Sequence, residues 1–249
     1  IKLSANHWVW ILGQHHIACD AQAGALLFQA VSDSYQSHQN SALLPQFLGS
    51  AAFQSSPNLV TLSPPSSRAT PPYGSLDLRH GRSERINIAL KQALFDHIET
   101  AIATPEFRLF TPDLSRLALF LTAYLAYLHR ITGDDEITLG LPSHNRLNAT
   151  DRDTFGLFVE VLPFDISISH NDTFLELHKK VRTALGRFLR GARPGAIAHQ
   201  DPQRISATLN YIQAKFGDFA GHPAKVEWLH SGAHDTEVAL RLHVMDFDG

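Results

Sequence analysis

Cysteine is almost missing: Cys19 is the only one in 249 residues. One thiol cannot close an internal disulfide, and a lone thiol suits a reducing cytoplasm. Methionine also occurs once. The chain opens on Ile1 and stops at Met245-Asp246-Phe247-Asp248-Gly249, where a turn and another strand could follow, so both ends read as cuts. Long apolar runs are absent. Trp8 to Leu12 is too short to span a bilayer, and no signal peptide is visible. A basic stripe is lacking too: 21 Lys and Arg face 24 Asp and Glu, for a net charge of -3. Neither a membrane nor nucleic acid is therefore an expected partner. No internal repeat occurs.

Apolar residues are plentiful, at 44% against 18% charged. That is enough for a well-cored soluble protein of one large domain or two modest lobes. Trp8-Val9-Trp10-Ile11-Leu12 reads as a buried strand. Asp20 to about Tyr35 reads as a helix with Leu26, Leu27, Ala30 and Val31 on one face. Pattern collapses from Ser37 to Gly81, where Ser63-Pro64-Pro65-Ser66-Ser67 and Thr70-Pro71-Pro72-Tyr73-Gly74 mark a linker or crossing loop. Order resumes at Arg85 to Leu90, followed by a helix to about Ile102.

Thr111-Pro112-Asp113 is a helix start, with Thr111 as N-cap and Pro112 at the first helical position. Leu114, Leu117, Ala118, Leu121, Tyr124, Leu125 and Leu128 keep a helical stripe that stops at Gly133. Ile137 to Leu141 is a short strand. Leu157 to Ile168 is another, interrupted by Pro163. Phe174, Leu177, Val181, Leu185 and Phe188 predict a further helix. Val238, Leu240, Leu242 and Val244 alternate as a strand. Strands mixed with long helices, without strict βαβ alternation, indicate a layered α/β or α+β fold.

The candidate chemistry lies at His15-His16-Ile17-Ala18-Cys19-Asp20. A strand ends, two histidines follow, and an Asp opens a helix. A sheet terminus can hold one imidazole in a cleft, where it accepts a proton from a nucleophile and returns it to a leaving group. Asp20 is placed to cap the helix or to pair with a cation. Against this stands a plain reading of the pair, since fifteen histidines occur and adjacent ones arise as satisfied surface or core residues. Metal binding fits poorly. Adjacent strand residues point to opposite faces, and Cys19 has no further ligands nearby. As a nucleophile Cys19 lacks an activating cation in its flanks.

The histidine run resembles the HHxxxDG motif of nonribosomal peptide synthetase condensation domains, members of the chloramphenicol acetyltransferase-like superfamily. His129-Arg130-Ile131-Thr132-Gly133-Asp134-Asp135-Glu136-Ile137-Thr138-Leu139-Gly140-Leu141-Pro142 is similar to that family's "hRyTGqdDivvGtP" stretch. Ser143-His144-Asn145-Arg146 sits where the family has a segment closing in Arg. Phe155 to Pro163 is similar to its "iGfFvNtLP" motif.

The resemblance implies a two-lobed α/β layered sandwich, with its first lobe incomplete here. Residues 1–82 would be the remainder of the N-terminal lobe plus the crossing linker, and 83–249 the C-terminal lobe with a floor loop. It implies amide formation: the amine of a carrier-bound acceptor attacks a carrier-bound acyl or peptidyl thioester. His16 is implied as the catalytic residue, as base or as positioner of the amine. His15, Asp20 and Arg146 support it, with Arg146 set against Asp20. Ala21, Gly156 and Glu160 are implied in the substrate channel. No metal and no bound cofactor are implied. Phosphopantetheine is carried by the partners, which are donor and acceptor peptidyl carrier domains and neighbouring synthetase modules.

Three departures widen the reading. The motif's Gly is Ala21, the floor motif's Asn is Glu160, and "HQDYPFE" is reduced to His199-Gln200-Asp201-Pro202. A starter-type or modified domain, an ester-forming HHxxxDG acyltransferase, and a non-catalytic carrier-binding domain stand beside the amide-forming reading.

Overall fold

The computed structural model describes residues 1–38, 72, 83–192, 205–229 and 238–246. The linker expected between Ser37 and Gly81 falls almost entirely outside these residues, as does His199 to Pro202. The chain opens with a small hairpin, β1 (Lys2–Ser4) and β2 (His7–Trp8). Helix α1 (Ala21–Ser37) follows. Then come α2 (Gln92–Ala103), α3 (Pro112–Thr132), β3 (Glu136–Ser143), the short α4 (Ala149–Arg152), β4 (Glu160–Ser167), α5 (Phe174–Gly191), β5 (Ala207–Gln213) and β6 (Leu240–Asp246).

Four strands form one sheet in the order β4-β3-β5-β6. β3 and β4 are antiparallel, while β3–β5 and β5–β6 are parallel. Helices α3 and α5 pack against each other and on this sheet. Leu121, Leu125, Leu139, Phe164, Val181, Leu185 and Leu209 meet in the core between them. Burying each such side chain fully is worth about 1.5–3 kcal/mol, so this layer pair is the main source of stability.

Local sequence explains the helix ends. Thr111 accepts a bond from the Leu114 N–H at 3.2 Å, Pro112 needs no donor in the first turn, and Gly133 takes a left-handed φ of 74° at the end of α3. Thr173 and Glu176 form a capping box on α5.

Several expectations change. The segment Trp8 to Leu12 is not a buried strand. Of this segment only Trp8 lies in a strand, Val9 exchanges two bonds with Ile1, residues 10–15 have no regular structure, and Trp8, Trp10, Ile11 and Leu12 are exposed. No described strand lies alongside 10–15 to complete a backbone ladder, and a strand needs that ladder. Helix α1 buries Ala23, Ala25, Phe28 and Ser32 rather than the face through Leu26 and Ala30. Phe28 packs on Trp10, Phe216 and Phe219 at ring distances of 5.7–6.0 Å, and the Ser32 hydroxyl accepts a bond from the Ala220 N–H. Phe174 is partly exposed rather than core. Pro163 does not interrupt its strand. It sits opposite Gly140 in an unbroken β4, which is the edge of the sheet, where a missing N–H leaves no neighbour unsatisfied.

Candidate active site

The histidines sit in a tight turn before α1. The turn is closed by the Ala18 N–H on the His15 carbonyl at 3.0 Å. Both rings are exposed. The His15 Nδ1 accepts a bond from the Ile17 N–H at 3.1 Å. His15 is therefore a turn residue, and the alternation of adjacent strand residues does not operate here. The His16 Nδ1 faces the Cys19 carbonyl at 2.8 Å. A carbonyl only accepts, so Nδ1 carries the proton, and in the neutral ring Nε2 is the nitrogen with the lone pair. Cys19 itself is buried, and burial pushes its thiol pKa up, with the Asp20 carboxylate adding to the effect. A raised pKa suppresses the thiolate and argues against a nucleophilic role.

Asp20 serves two purposes that looked like alternatives in the sequence. Its Oδ1 caps α1 by accepting from the Ala23 N–H at 2.9 Å. The same oxygen meets the Arg146 Nη2 at 2.8 Å. Its Oδ2 accepts from the Phe158 N–H at 3.0 Å. Both side chains of the ion pair are withdrawn from solvent, at 4% exposure for Arg146 and 7% for Asp20. The guanidinium does not fork onto both carboxylate oxygens, because a backbone N–H holds the second.

The other Nη donors of Arg146 go to the loop before β4. Its Nη1 donates to the carbonyls of Asp151 and Thr154, and its Nη2 also reaches the Gly156 carbonyl at 3.1 Å. The Phe158 ring lies 4.1 Å from its guanidinium carbon, a cation–π contact. One arginine thus ties the α1 start to residues 151–158. Neither Phe158 nor these carbonyls could be singled out from residue type, since the bonds run through the backbone.

The other residues expected at the site fall around this clamp. Ala21 is the half-buried first residue of α1. Gly156 is buried, with its carbonyl turned to Arg146. Glu160 is half-buried at the start of β4, opposite Ser143. His144 is an unanticipated neighbour whose ring Nδ1 accepts from the Arg146 N–H at 3.3 Å. Burial and then the Arg146 charge push its pKa down, while Asp20 pulls the other way. Its place inside Ser143-His144-Asn145-Arg146 was the signal that could have found it. Among the described residues no three His, Cys, Asp or Glu side chains converge on a possible metal site.

Residues 110–195, which include the Arg146 clamp, match the family model described as Condensation domain. Over that segment the chain is similar to condensation domains, and the relatives it matches include nonribosomal peptide synthetases. It is 30% identical over 103 residues to cyclosporin synthetase of Tolypocladium inflatum, covering 41% of this chain and 1% of that protein. It is 23% identical over 200 residues to surfactin synthase subunit 1 of Bacillus subtilis (strain 168), covering 73% of this chain and 5% of that protein. The chain thus spans only a small part of the relatives it matches.

Two solved structures share the fold. One is a four-domain nonribosomal peptide synthetase bound to AMP and glycine, with TM-score 0.60 and 14% identity over 78% of this chain and 16% of that one. The other is the condensation domain that mediates chain release from the enacyloxin polyketide synthase, with TM-score 0.58 and 17% identity over 86% of this chain and 44% of that one. The condensation-domain fold is the α/β, chloramphenicol acetyltransferase-like one. No described helix is long and apolar enough to cross a membrane.

Proposed function

We propose that this chain takes part in condensation-type acyl transfer, joining a carrier-bound acyl or peptidyl thioester to the amine of a carrier-bound acceptor. The observation that carries the reading is the contact of the His16 Nδ1 with the Cys19 carbonyl. The ring's Nδ1–H is fixed there at 2.8 Å, so Nε2 offers a lone pair from a turn anchored by Asp20 and Arg146. The acceptor nitrogen attacks the thioester carbon, and its proton passes to Nε2. The C–S bond breaks, and the proton goes on to the departing thiolate. Phosphopantetheine arms of donor and acceptor carrier domains bring the two substrates, and neighbouring synthetase modules supply those domains. His15 shapes the turn. Asp20 and Arg146 position it, and Ala21, Gly156 and Glu160 border the substrate path. Residues 1–82 hold the remainder of one lobe with its crossing linker and 83–249 the other lobe, and the Asp20–Arg146 bond is one of the contacts between them. The reaction belongs to the cytoplasm.

A second reading is a non-catalytic domain that binds carrier proteins. The exposure of both histidine rings and the methyl of Ala21 in place of the motif's Gly favour it. Intact-protein mass spectrometry of loaded carrier domains separates the two readings. Incubation with the full chain should give the amide on the acceptor carrier, and His16→Ala should lose it while keeping its circular dichroism. An ester or a dehydrated product would redirect the chemistry. Unchanged carriers with a folded protein would leave the binding reading, and a His16→Ala variant with most of its turnover would remove that residue from the mechanism.

A further inference from the structure

Helix α5 carries Lys179, Lys180, Arg182, Arg187 and Arg190 against one acid, Glu176, although the chain as a whole is net negative at -3. Its apolar face, through Leu177, Val181 and Leu185, is buried on the sheet. Residues 179, 182, 183, 186, 187 and 190 fall on the opposite side at helical spacing. Lys179, Arg187 and Arg190 are exposed and Arg182 is half-buried. At the N-terminal half of this ridge a cleft of about 550 Å³ is lined by Arg108, Leu109, Phe110, Lys179, Arg182 and Thr183. Phe110 is 98% exposed on its rim.

Among the described residues, no ion pair compensates the five cations that line this ridge and its cleft. The described ion pairs are Arg116 with Glu99 and Asp113, His129 with Asp135, Arg146 with Asp20, and Lys180 with Asp172. None involves Arg108, Lys179, Arg182, Arg187 or Arg190. Glu176 has its carboxylate held by Thr173 in the capping box. Arg182 is fixed in place by donating to the Glu106 carbonyl at 2.8 Å, so one cation of the cleft is pre-positioned rather than waving in solvent.

We propose that this ridge and cleft dock an acidic helix of a protein partner. A lone phosphate would call for cations converging on one point. From Lys179 to Arg190 these cations instead run along about 16 Å of helix at 1.5 Å per residue, the pitch at which a second helix presents its own carboxylates. Arginine beside an exposed aromatic is the composition of an interface hot spot, and Phe110 is the apolar anchor. A nucleic acid is less well matched, because the chain as a whole is net negative at -3. The inference does not depend on the role of His16.

The test uses the full chain and a labelled helical peptide of about sixteen residues. The peptide carries Glu at helical spacing along one face and one Leu beside it. Fluorescence anisotropy should show binding that weakens about tenfold or more between about 50 and 300 mM salt. The Lys179→Glu, Arg182→Glu double variant should lose about tenfold or more in affinity, and a Lys-faced peptide should regain binding to that variant. This rescue distinguishes charge reading from damage to the helix. Phe110→Ala should weaken binding about fivefold. Equal binding of a Gln-faced peptide, or full binding by the charge-reversed variant, would overturn the proposal. So would tight binding of inorganic phosphate or of a DNA oligonucleotide with none of the peptide.

Discussion

Asp20 is the residue on which the site turns, because three backbone or side-chain donors share its two oxygens. Asp20→Asn keeps a carbonyl oxygen for the α1 cap and Arg146, which share Oδ1, but turns an amide N–H₂ toward the Phe158 N–H. A donor facing a donor is repulsive in a buried place. We expect this variant to loosen the turn carrying His16 and lower turnover while the protein still folds. Arg146→Ala is expected to be harsher. It abandons four acceptors and leaves a buried carboxylate, at a cost of about 3–5 kcal/mol. Arg146→Lys should recover only part of that, because a single ammonium cannot reach the carbonyls of Asp151, Thr154 and Gly156 together. Urea midpoints for the three variants check the order, and equal stability of Lys and Ala at this position would contradict it. The pairing was legible from the motif and from the chemistry of a buried acid. The split of the carboxylate between Arg146 and the Phe158 N–H was not, because a backbone donor leaves no mark in residue type. The setting of the two histidines was not legible either: the sequence suggested a strand end, and the chain forms a turn there.

Elements were legible where one face of a long helix or strand is apolar and its ends carry strong chemistry. Helix α3 starts at Pro112 and stops before Gly133, as Thr111, Pro112 and Gly133 dictate. β3 and β6 lie where branched and alternating residues put them. The sequence misled at Trp8 to Leu12, where aromatic and branched residues indicate a strand but pairing decides whether one forms. It misled again at Pro163, where strand position in the sheet overrides the residue's reputation. Gly140 was quoted only as part of a motif, yet the sheet makes it irreplaceable. A Cβ there would lie 2.7 Å from the Ile205 Cγ2 and the Thr208 Cγ2 and 2.9 Å from the Val161 Cγ1. Those side chains come from both flanks of β3, so relief on one side tightens the other. Gly140→Ala should destabilise by about 1–3 kcal/mol, read as a lower urea midpoint with an unchanged slope. An unaltered midpoint would mean that β3 and its neighbours separate more easily than this packing allows.

At the scale of the whole molecule, stability depends on how the two helices over the sheet stay together, and His178 ties that contact to pH. It is fully buried between α3 and α5. The Thr122 hydroxyl donates to the Ala118 carbonyl at 2.7 Å and faces the His178 Nδ1 at 3.0 Å, so the imidazole N–H is the donor to that oxygen. The Phe107 ring lies 4.7 Å away. Burial first, and then the Arg182 charge, push the His178 pKa from 6.5 down to about 4. The unfolded chain takes up this proton near its ordinary pKa, whereas the folded chain resists it. The stabilisation is therefore complete above about pH 6.5, declines as pH falls, and is gone once the folded state also protonates near pH 4. His144, depressed by burial and by Arg146, acts in the same direction. The full chain should lose stability between these limits by an amount on the order of 3 kcal/mol from His178. His178→Phe, which cannot titrate, should flatten the acid side of the curve by close to one proton. A nuclear magnetic resonance titration of the His178 ring in the unsubstituted protein gives the same answer without a substitution. A ring already protonated at pH 6, or a variant with an identical acid slope, would show that the contact between α3 and α5 is not what acid opens first.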